Sequence, residues 1–126
     1  MPIAQGQCTI FKYNLLSGLE NFTATSPYTY KIALYTGLAN LDNTTTAYTS
    51  TGEVVGSGYT AGGAVLTPIT PAGDSSNNTA YWSFANVSWT GASFVTRGAL
   101  IYNATTGASV AVLNFGSDKS ASGTFT

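Results

Sequence analysis

Two strand-forming runs around a short polar segment constrain the fold of this chain more than any other feature. Residues 94–102 and 108–115 are rich in β-branched and aromatic side chains, and the intervening segment reads Asn-Ala-Thr-Thr-Gly. β-branched and aromatic residues favour a pleated, half-buried surface, whereas Asn and Gly tolerate the positive φ of a tight turn. Residues 94–115 therefore predict a β-hairpin.

Further strand signals lie before this hairpin. Large apolar or aromatic residues alternate with smaller or polar ones over residues 28–36, and residues 79–89 form another long strand-like run. Shorter runs cover residues 53–55 and 64–68. Polar segments separate these runs, a pattern that is typical of antiparallel all-β proteins. We predict a single domain over residues 1–126, built as an antiparallel β-sandwich or flattened barrel with one short N-terminal helix.

The one helical pattern lies near the N-terminus. Large apolar residues recur every four positions from residue 11 to residue 19, so they share one face of a helix. We predict a flexible arm over residues 1–8, a helix over residues 9–18 and a β domain over residues 28–126. The side chains predicted to make assembly contacts are Ile10, Phe11, Leu15, Leu16 and Leu19.

A glycine-rich segment over residues 56–63 allows two interpretations. A phosphate-binding loop joins a strand to a helix and often carries a lysine, which places backbone N–H groups and positive charge around the anion. Here the following residues, 64–68, are strand-like and contain no lysine. We therefore predict a sharply bent edge of the sheet.

The low charge of the chain excludes some partners and favours others. Charged residues make up 7% of the sequence, against about 25% in a typical globular protein. The four cations are scattered, so we predict no nucleic-acid partner, which would need several cations acting together. No apolar run reaches the ~20 residues of a membrane span, so we predict no membrane partner. Few charges protect the sheet edges, which favours a homo-oligomer.

Residues suited to catalysis are sparse. The chain contains no histidine, which removes Ser-His-Asp and Cys-His catalysis and most zinc sites. The five carboxylates are isolated from one another in sequence, and the single cysteine, Cys8, forms no internal disulfide. We predict no catalytic residue, no metal site and no cofactor, and Cys8 is interpreted as a small buried apolar residue.

Two sets of residues remain as candidates for binding or for structural pairing. Tyr48, Tyr59 and Trp89 lie in or near predicted loops, where aromatic rings stack on sugars. Arg97 is the only charge in the hairpin, and an Arg in an apolar strand needs a carboxylate or carbonyl partner. We predict an ion pair between Arg97 and Glu53, with Asp118 as the alternative partner.

Several motifs, in a fixed order, resemble those of a known family. They are Tyr-Lys-Ile-Ala-Leu-Tyr-Thr at residues 30–36, Gly-Tyr-Thr-Ala-Gly-Gly at 58–63, Arg-Gly-Ala-Leu-Ile-Tyr-Asn at 97–103 and Val-Ala-Val-Leu-Asn-Phe-Gly at 110–116. The set is similar to small virion structural proteins of tailed bacteriophages. The resemblance implies a particle component without catalytic residues, made in the host cytoplasm and located in the virion. It also implies a last strand that similar proteins continue beyond the final Phe-Thr pair.

Two functional hypotheses follow from the composition and the resemblance together. In the first, the chain is a head-decoration (cement) protein that binds and stabilises the capsid, with other virion proteins such as the major capsid protein as partners. The N-terminal arm and helix then dock on the shell or on a neighbour. In the second, the chain belongs to the tail, baseplate or a fibre, where loops bearing Tyr48, Tyr59 and Trp89 bind a host glycan.

Overall fold

The structure is a computed structural model, and it describes residues 3–18, 28–74, 76 and 79–125. Its elements follow the order β1 (Gly6–Gln7), α1 (Thr9–Leu16), β2 (Tyr30–Tyr35), β3 (Ala64–Leu66), β4 (Pro68–Asp74), β5 (Thr79–Phe84), β6 (Trp89–Asn103) and β7 (Ser109–Phe125). The predicted all-β class with one short N-terminal helix is confirmed. No helix within the described ranges is long and apolar enough to span a bilayer.

The predicted hairpin is the centre of the main sheet. This sheet has five strands in the order β1-β7-β6-β2-β3, and all neighbours are antiparallel. Strands β4 and β5 form a separate antiparallel pair. The hairpin turn covers residues 104–106, as the sequence predicts. Strands β6 and β7 each pair on both sides for part of their length, and together they carry 10 of the 21 buried hydrophobic residues of the described chain.

Both strands of the hairpin are longer than the sequence indicates. From the sequence we expect Gly91 to end the strand-like run at residues 79–89 and residues 116–123 to form a turn after the hairpin. In the structure β6 instead begins at Trp89 and continues through Gly91, and β7 continues through residues 116–123. The pairing of Trp89 with Phe125 and of Ala92 with Gly123 leaves two residues of β6 opposite a single residue of β7. Gly91, with φ +60°, accommodates this bulge. Glycines therefore bend the hairpin instead of ending it.

Alternate residues of the central strands point to two different faces of the sheet. Leu100 lies between Ala33 and Val112, and it belongs to a buried cluster that includes Ile3, Cys8 and Phe11. Its neighbour Ala99 lies between Leu34 and Leu113 and belongs to a second cluster, which includes Val54, Trp89 and Phe94. The N-terminal segment thus packs on one face, and Val54, Tyr59 and Trp89 pack on the other.

The segment predicted to be a flexible arm is part of the sheet where the structure describes it. Ile3 is 3% exposed and pairs with Leu41, and Gly6 pairs with Val112. The N–H of Cys8 donates to the carbonyl of Val110 at 2.9 Å. The flexible-arm prediction for residues 3–8 is therefore wrong. The physical reason is that the edge of β7 has backbone groups to satisfy, and β1 satisfies some of them.

Candidate functional site

Glu53 is a buried carboxylate whose oxygens both accept hydrogen bonds. The residue is 8% exposed. The Tyr48 hydroxyl donates to Oε1 at 2.5 Å, while Oε2 accepts from the Tyr59 hydroxyl at 2.5 Å and from the N–H of Gly62 at 2.8 Å. Hydrogen bonds to a charged acceptor in a water-poor site are the strong class. We call Glu53, Tyr48, Tyr59 and Gly62 the Glu53 network.

The Glu53 network connects the long irregular segment between β2 and β3 to the main sheet. Glu53 forms a bridge with Tyr35, and the N–H of Val54 donates to the carbonyl of Leu34 at 3.0 Å. The N–H of Leu34 in turn donates to the Tyr59 hydroxyl at 3.0 Å. Backbone bonds also hold this segment, such as those from Thr36 to Gly52 and from Tyr48 to Gly107, and the shared side-chain acceptor adds to them. The Glu53 network therefore holds the segment between β2 and β3 against β2.

The tyrosines around Glu53 are held in their neutral form. Burial, and the negative charge of Glu53, raise the pKa of Tyr35, Tyr48, Tyr59 and Tyr102 above the usual value for a phenol. The neutral phenols of Tyr48 and Tyr59 are the hydrogen-bond donors that the carboxylate needs. Deprotonation would replace two donors with two negative charges beside a third.

The raised tyrosine pKa values predict a loss of stability at alkaline pH. A group whose pKa is higher in the folded than in the unfolded chain stabilises the fold below its unfolded pKa, which is 10.0 for Tyr. That stabilisation decreases as the pH rises above 10. We expect the denaturant midpoint to be constant from pH 7 to 9 and to fall steeply above about pH 10. Phenolate absorbance from these four tyrosines should appear together with unfolding, and their titration in the folded chain would contradict this.

Of the two predicted partners of Arg97, Glu53 is wrong and the alternative, Asp118, is confirmed. The guanidinium lies 3.3 Å from the Asp118 carboxylate and 3.5 Å from the carbonyl of Gly116. At this point residues 115–118 of β7 bulge opposite Arg97 alone, since Thr96 pairs with Lys119 and Gly98 pairs with Asn114. Arg97 therefore stabilises a bulge at the protein surface, and Glu53 is satisfied by neutral donors.

The three aromatic residues predicted to make loop contacts are engaged inside the molecule. Trp89 begins β6 and is 8% exposed, so it is part of the core and not of a loop. The Tyr59 ring lies 5.9 Å from the ring of Phe94, and the Tyr48 ring stacks on Tyr102 at 4.8 Å. Because both tyrosine hydroxyls also bind Glu53, the structure contradicts their assignment as free sugar-stacking surfaces.

The helix predicted to make assembly contacts presents only part of the predicted set. Phe11 is 1% exposed and packs in the core, which corrects its assignment as a contact residue. Ile10 is half-buried against the same cluster. Leu16 is 90% exposed and Leu15 is 49% exposed. Leu19 lies outside the described residues. Sequence periodicity did not identify Tyr13, which is 64% exposed on the same helix.

An apolar groove lies on the sheet face opposite to the N-terminal segment. It has a volume of about 800 Å³, and its walls include Leu34, Leu113, Phe115 and Phe125. Among the described residues that line it, Lys119 carries the only charge. The volume and the apolar walls are within the range of sites that accept a ligand or side chains of a partner. No pattern in the sequence indicates this groove, because it forms where the extended hairpin and residues 84–89 meet.

The candidates for reactive chemistry have structural roles. Cys8 is fully buried, and burial raises the pKa of its thiol to about 11, so the thiolate form is rare at neutral pH. Asp42 accepts from the N–H and the hydroxyl of Thr44, as in an ordinary turn, and these bonds lower its pKa. Within residues 3–18, 28–74, 76 and 79–125, no three His, Cys, Asp or Glu side chains cluster as metal ligands do.

Within the described residues, the exposed side of α1 and the apolar groove are two candidate binding surfaces. Comparison of the chain with family models, with characterised proteins and with solved structures gives no match.

Proposed function

We propose that this chain is a structural subunit of a bacteriophage virion, and specifically a decoration protein that binds and stabilises the head. The observation that carries the proposal is the exposed apolar side of α1. Leu16 is 90% exposed, and Tyr13 and Leu15 on the same helix are 64% and 49% exposed. Tyr13 and Leu16 are three residues apart and therefore share one side of the helix, and exposed apolar side chains that lie together are typical of a surface that another protein covers.

The attachment of α1 to the sheet makes this surface suitable for assembly. Phe11 is 1% exposed in the core, and Cys8 directly before the helix is fully buried. The backbone of Cys8 is also bonded to β7. A contact helix held in this way loses little conformational entropy on binding, so more of the contact energy becomes affinity.

The edges of the sheet do not carry the proposal. Its outer strands in the described part of the chain are β1 and β3, which contain two and three residues. Strands this short are one way in which proteins avoid edge-to-edge pairing. An assembly contact at β3 would therefore use side chains such as Val65, which is 59% exposed.

No observation favours the second hypothesis of a glycan-binding tail component. Its three candidate residues, Tyr48, Tyr59 and Trp89, are bound to Glu53 or buried. The experiments on particles also detect the alternative result, in which the chain is located in the tail.

Two leucine variants test the attachment surface. Leu16→Asp should reduce binding to undecorated heads at least about tenfold, since it places a charge at the centre of the contact. Leu38→Asp is the matched control, because Leu38 is 87% exposed at a turn that is not part of α1. Binding is measured by co-sedimentation with purified particles. Equal occupancy by both variants would contradict the proposal, as would failure of the wild-type chain to bind heads.

A further inference from the structure

We propose that residues 3–16 form one unit that detaches from the β domain without unfolding it, and that Asn114 is the latch that holds this unit closed. We call residues 3–8 the strap, so the unit consists of the strap and α1. The inference rests on the proposed function, because α1 carries the surface assigned to head contact. It names the part of the fold that holds that surface in position.

The strap lies between two parts of the chain and is bonded to both. On one side, Gly6 and Gln7 pair with β7, and the N–H of Cys8 donates to the same strand. On the other side, the N–H of Ala4 donates to the carbonyl of Leu41 at 2.8 Å. A two-residue ladder and single bonds hold the strap, so it can open while the longer ladders of the sheet stay paired.

The strap continues into α1 without a loop. Cys8 precedes the first helical residue, Thr9, and has φ −73° and ψ 142°, which is extended backbone. Ile3, Cys8 and Phe11 belong to the same buried cluster, so the strap and the helix pack on the same part of the sheet. A strap that leaves the sheet therefore displaces the first turn of α1.

The helix has few means of its own to stay in place. It has eight residues, its N-cap residue makes no side-chain cap bond, its first turn contains no acidic residue and its last turn no basic one. A helix this short is not stable in water without packing. The exposed Tyr13 and Leu16 therefore keep their positions only while the unit is closed.

Asn114 bonds the strap to β7 through its side chain and its backbone. The side-chain Nδ2 donates to the carbonyl of Ile3 at 3.0 Å, and the N–H of Asn114 donates to Oε1 of Gln5 at 3.1 Å. The side-chain Oδ1 accepts from the N–H of Gly116 at 2.9 Å. One amide group thus binds the strap with its donor and the bulge of β7 with its acceptor.

The sheet beside Asn114 has room for the strap. Asn114 pairs with Gly98, and a Cβ at Gly98 would lie 2.7 Å from Cδ1 of Ile3. The bulge over residues 115–118 follows directly after Asn114, and bulges turn neighbouring side chains toward new partners. Arg97 stabilises this bulge, so it supports the latch indirectly.

The experiment compares the full-length wild type with Asn114→Asp. The aspartate keeps an acceptor for the N–H of Gly116 but replaces the donor to Ile3 with a negative oxygen. Asn86→Asp is the control, because it makes the same change at an exposed residue on the other face of the sheet. Amide hydrogen exchange in low urea measures the opening of each segment. Reaction of the Cys8 thiol with an aromatic disulfide reagent measures opening at the start of α1.

We expect the strap, the Cys8 thiol and α1 of the wild type to share one opening equilibrium, with an opening constant larger than that of the hairpin of β6 and β7. Its dependence on urea should be smaller than that of complete unfolding, since less surface is exposed. Asn114→Asp should increase this opening constant by the same factor at all three places, at least about fivefold for one lost hydrogen bond. Asn86→Asp should leave it unchanged.

Three results would overturn the inference. The first is faster exchange in the strap of Asn114→Asp with unchanged exchange in α1, which would mean that the two do not move together. The second is opening of the strap and α1 only when the hairpin of β6 and β7 also opens. The third is an opening constant of Asn114→Asp that equals that of the wild type.

Binding to heads is a separate measurement. If the contact needs the closed unit, heads that bind the chain should slow exchange in the strap at least about tenfold, because a ligand of one state lowers the population of the other. Equal strap exchange in free and head-bound chains would show that the unit does not position the contact, and it would leave the decoration role standing. A chain that opens as described but does not bind heads would overturn the decoration role alone.

Discussion

Replacing Glu53 with Leu is expected to lower the free energy of unfolding by about 3 kcal/mol, because it leaves buried donors without an acceptor. The carboxylate accepts from the hydroxyls of Tyr48 and Tyr59 and from the N–H of Gly62. Because Tyr48 and Tyr59 are partly exposed, water can accept from their hydroxyls once the carboxylate is gone, and this limits the loss of stability. Urea unfolding followed by tryptophan fluorescence measures it.

Asp118→Leu is the matched control for Glu53→Leu. Asp118 also carries a carboxylate with a partner, Arg97, but its side chain is 62% exposed. Ion pairs at the surface contribute between 0 and about 1 kcal/mol, so the control should lose less than about 1 kcal/mol. Equal losses in the free energy of unfolding for Glu53→Leu and Asp118→Leu would show that the Glu53 network contributes no more to stability than a surface ion pair. A third variant, Tyr59→Phe, removes one donor and should lose about 1 kcal/mol.

Replacing Gly63 with Ala is expected to be at least as damaging, by about 4 kcal/mol. Gly63 has φ +84°, and a Cβ at this position would lie 1.9 Å from the carbonyl oxygen of Ile32. The residue joins the Glu53 network at Gly62 to β3, so the backbone of this turn must approach β2 closely. Moving the turn away would also move the N–H of Gly62 from Glu53.

Gly107→Ala separates the two causes of this damage. Gly107 has nearly the same φ, +83°, but nothing lies within 4 Å of a Cβ added there. Gly107→Ala should therefore lower the free energy of unfolding only by the strain of a positive φ, about 1–2 kcal/mol. Equal unfolding midpoints for the two variants would mean that the close approach of Gly63 to β2 does not contribute.

The strands of this protein could be predicted more reliably than their ends. Periodicity and turn residues identify the hairpin at residues 94–115 and the strand at 28–36, because those signals are local. Gly91 and Gly116, with φ +60° and +83°, appear to break strands when the sequence is considered alone. In the structure a partner strand is already aligned beside them, so the chain bends and pairing continues.

The sequence narrows the partner of Arg97 to Glu53 or Asp118 but does not decide between the two carboxylates. Arg97 and Glu53 are a plausible pair by charge, but the pairing depends on which loop reaches which end of the sheet. The bulge in β7 brings Asp118 to Arg97, and the turn at Gly62 brings backbone and tyrosine donors to Glu53. One signal was available: Tyr48 and Tyr59 flank a lone Glu in one irregular segment.

Which residues of α1 are buried also could not be predicted from the sequence pattern alone. Four-residue periodicity assigns Phe11 and Leu15 to one face, whereas the buried pair is Phe11 and Asn14, three residues apart. Both spacings place residues near one another on a helix, so tertiary packing decides between them. The choice leaves Leu15 and Leu16 outside the core, and this is the surface to which we assign assembly.

Electron microscopy of purified particles that carry this chain tests the central claim most directly. The account predicts density for the β domain on the outer surface of the head, in symmetry-related copies, with α1 of each copy at a protein–protein contact. Particles in which the chain occupies the tail, or in which α1 faces solvent in every copy, would contradict it.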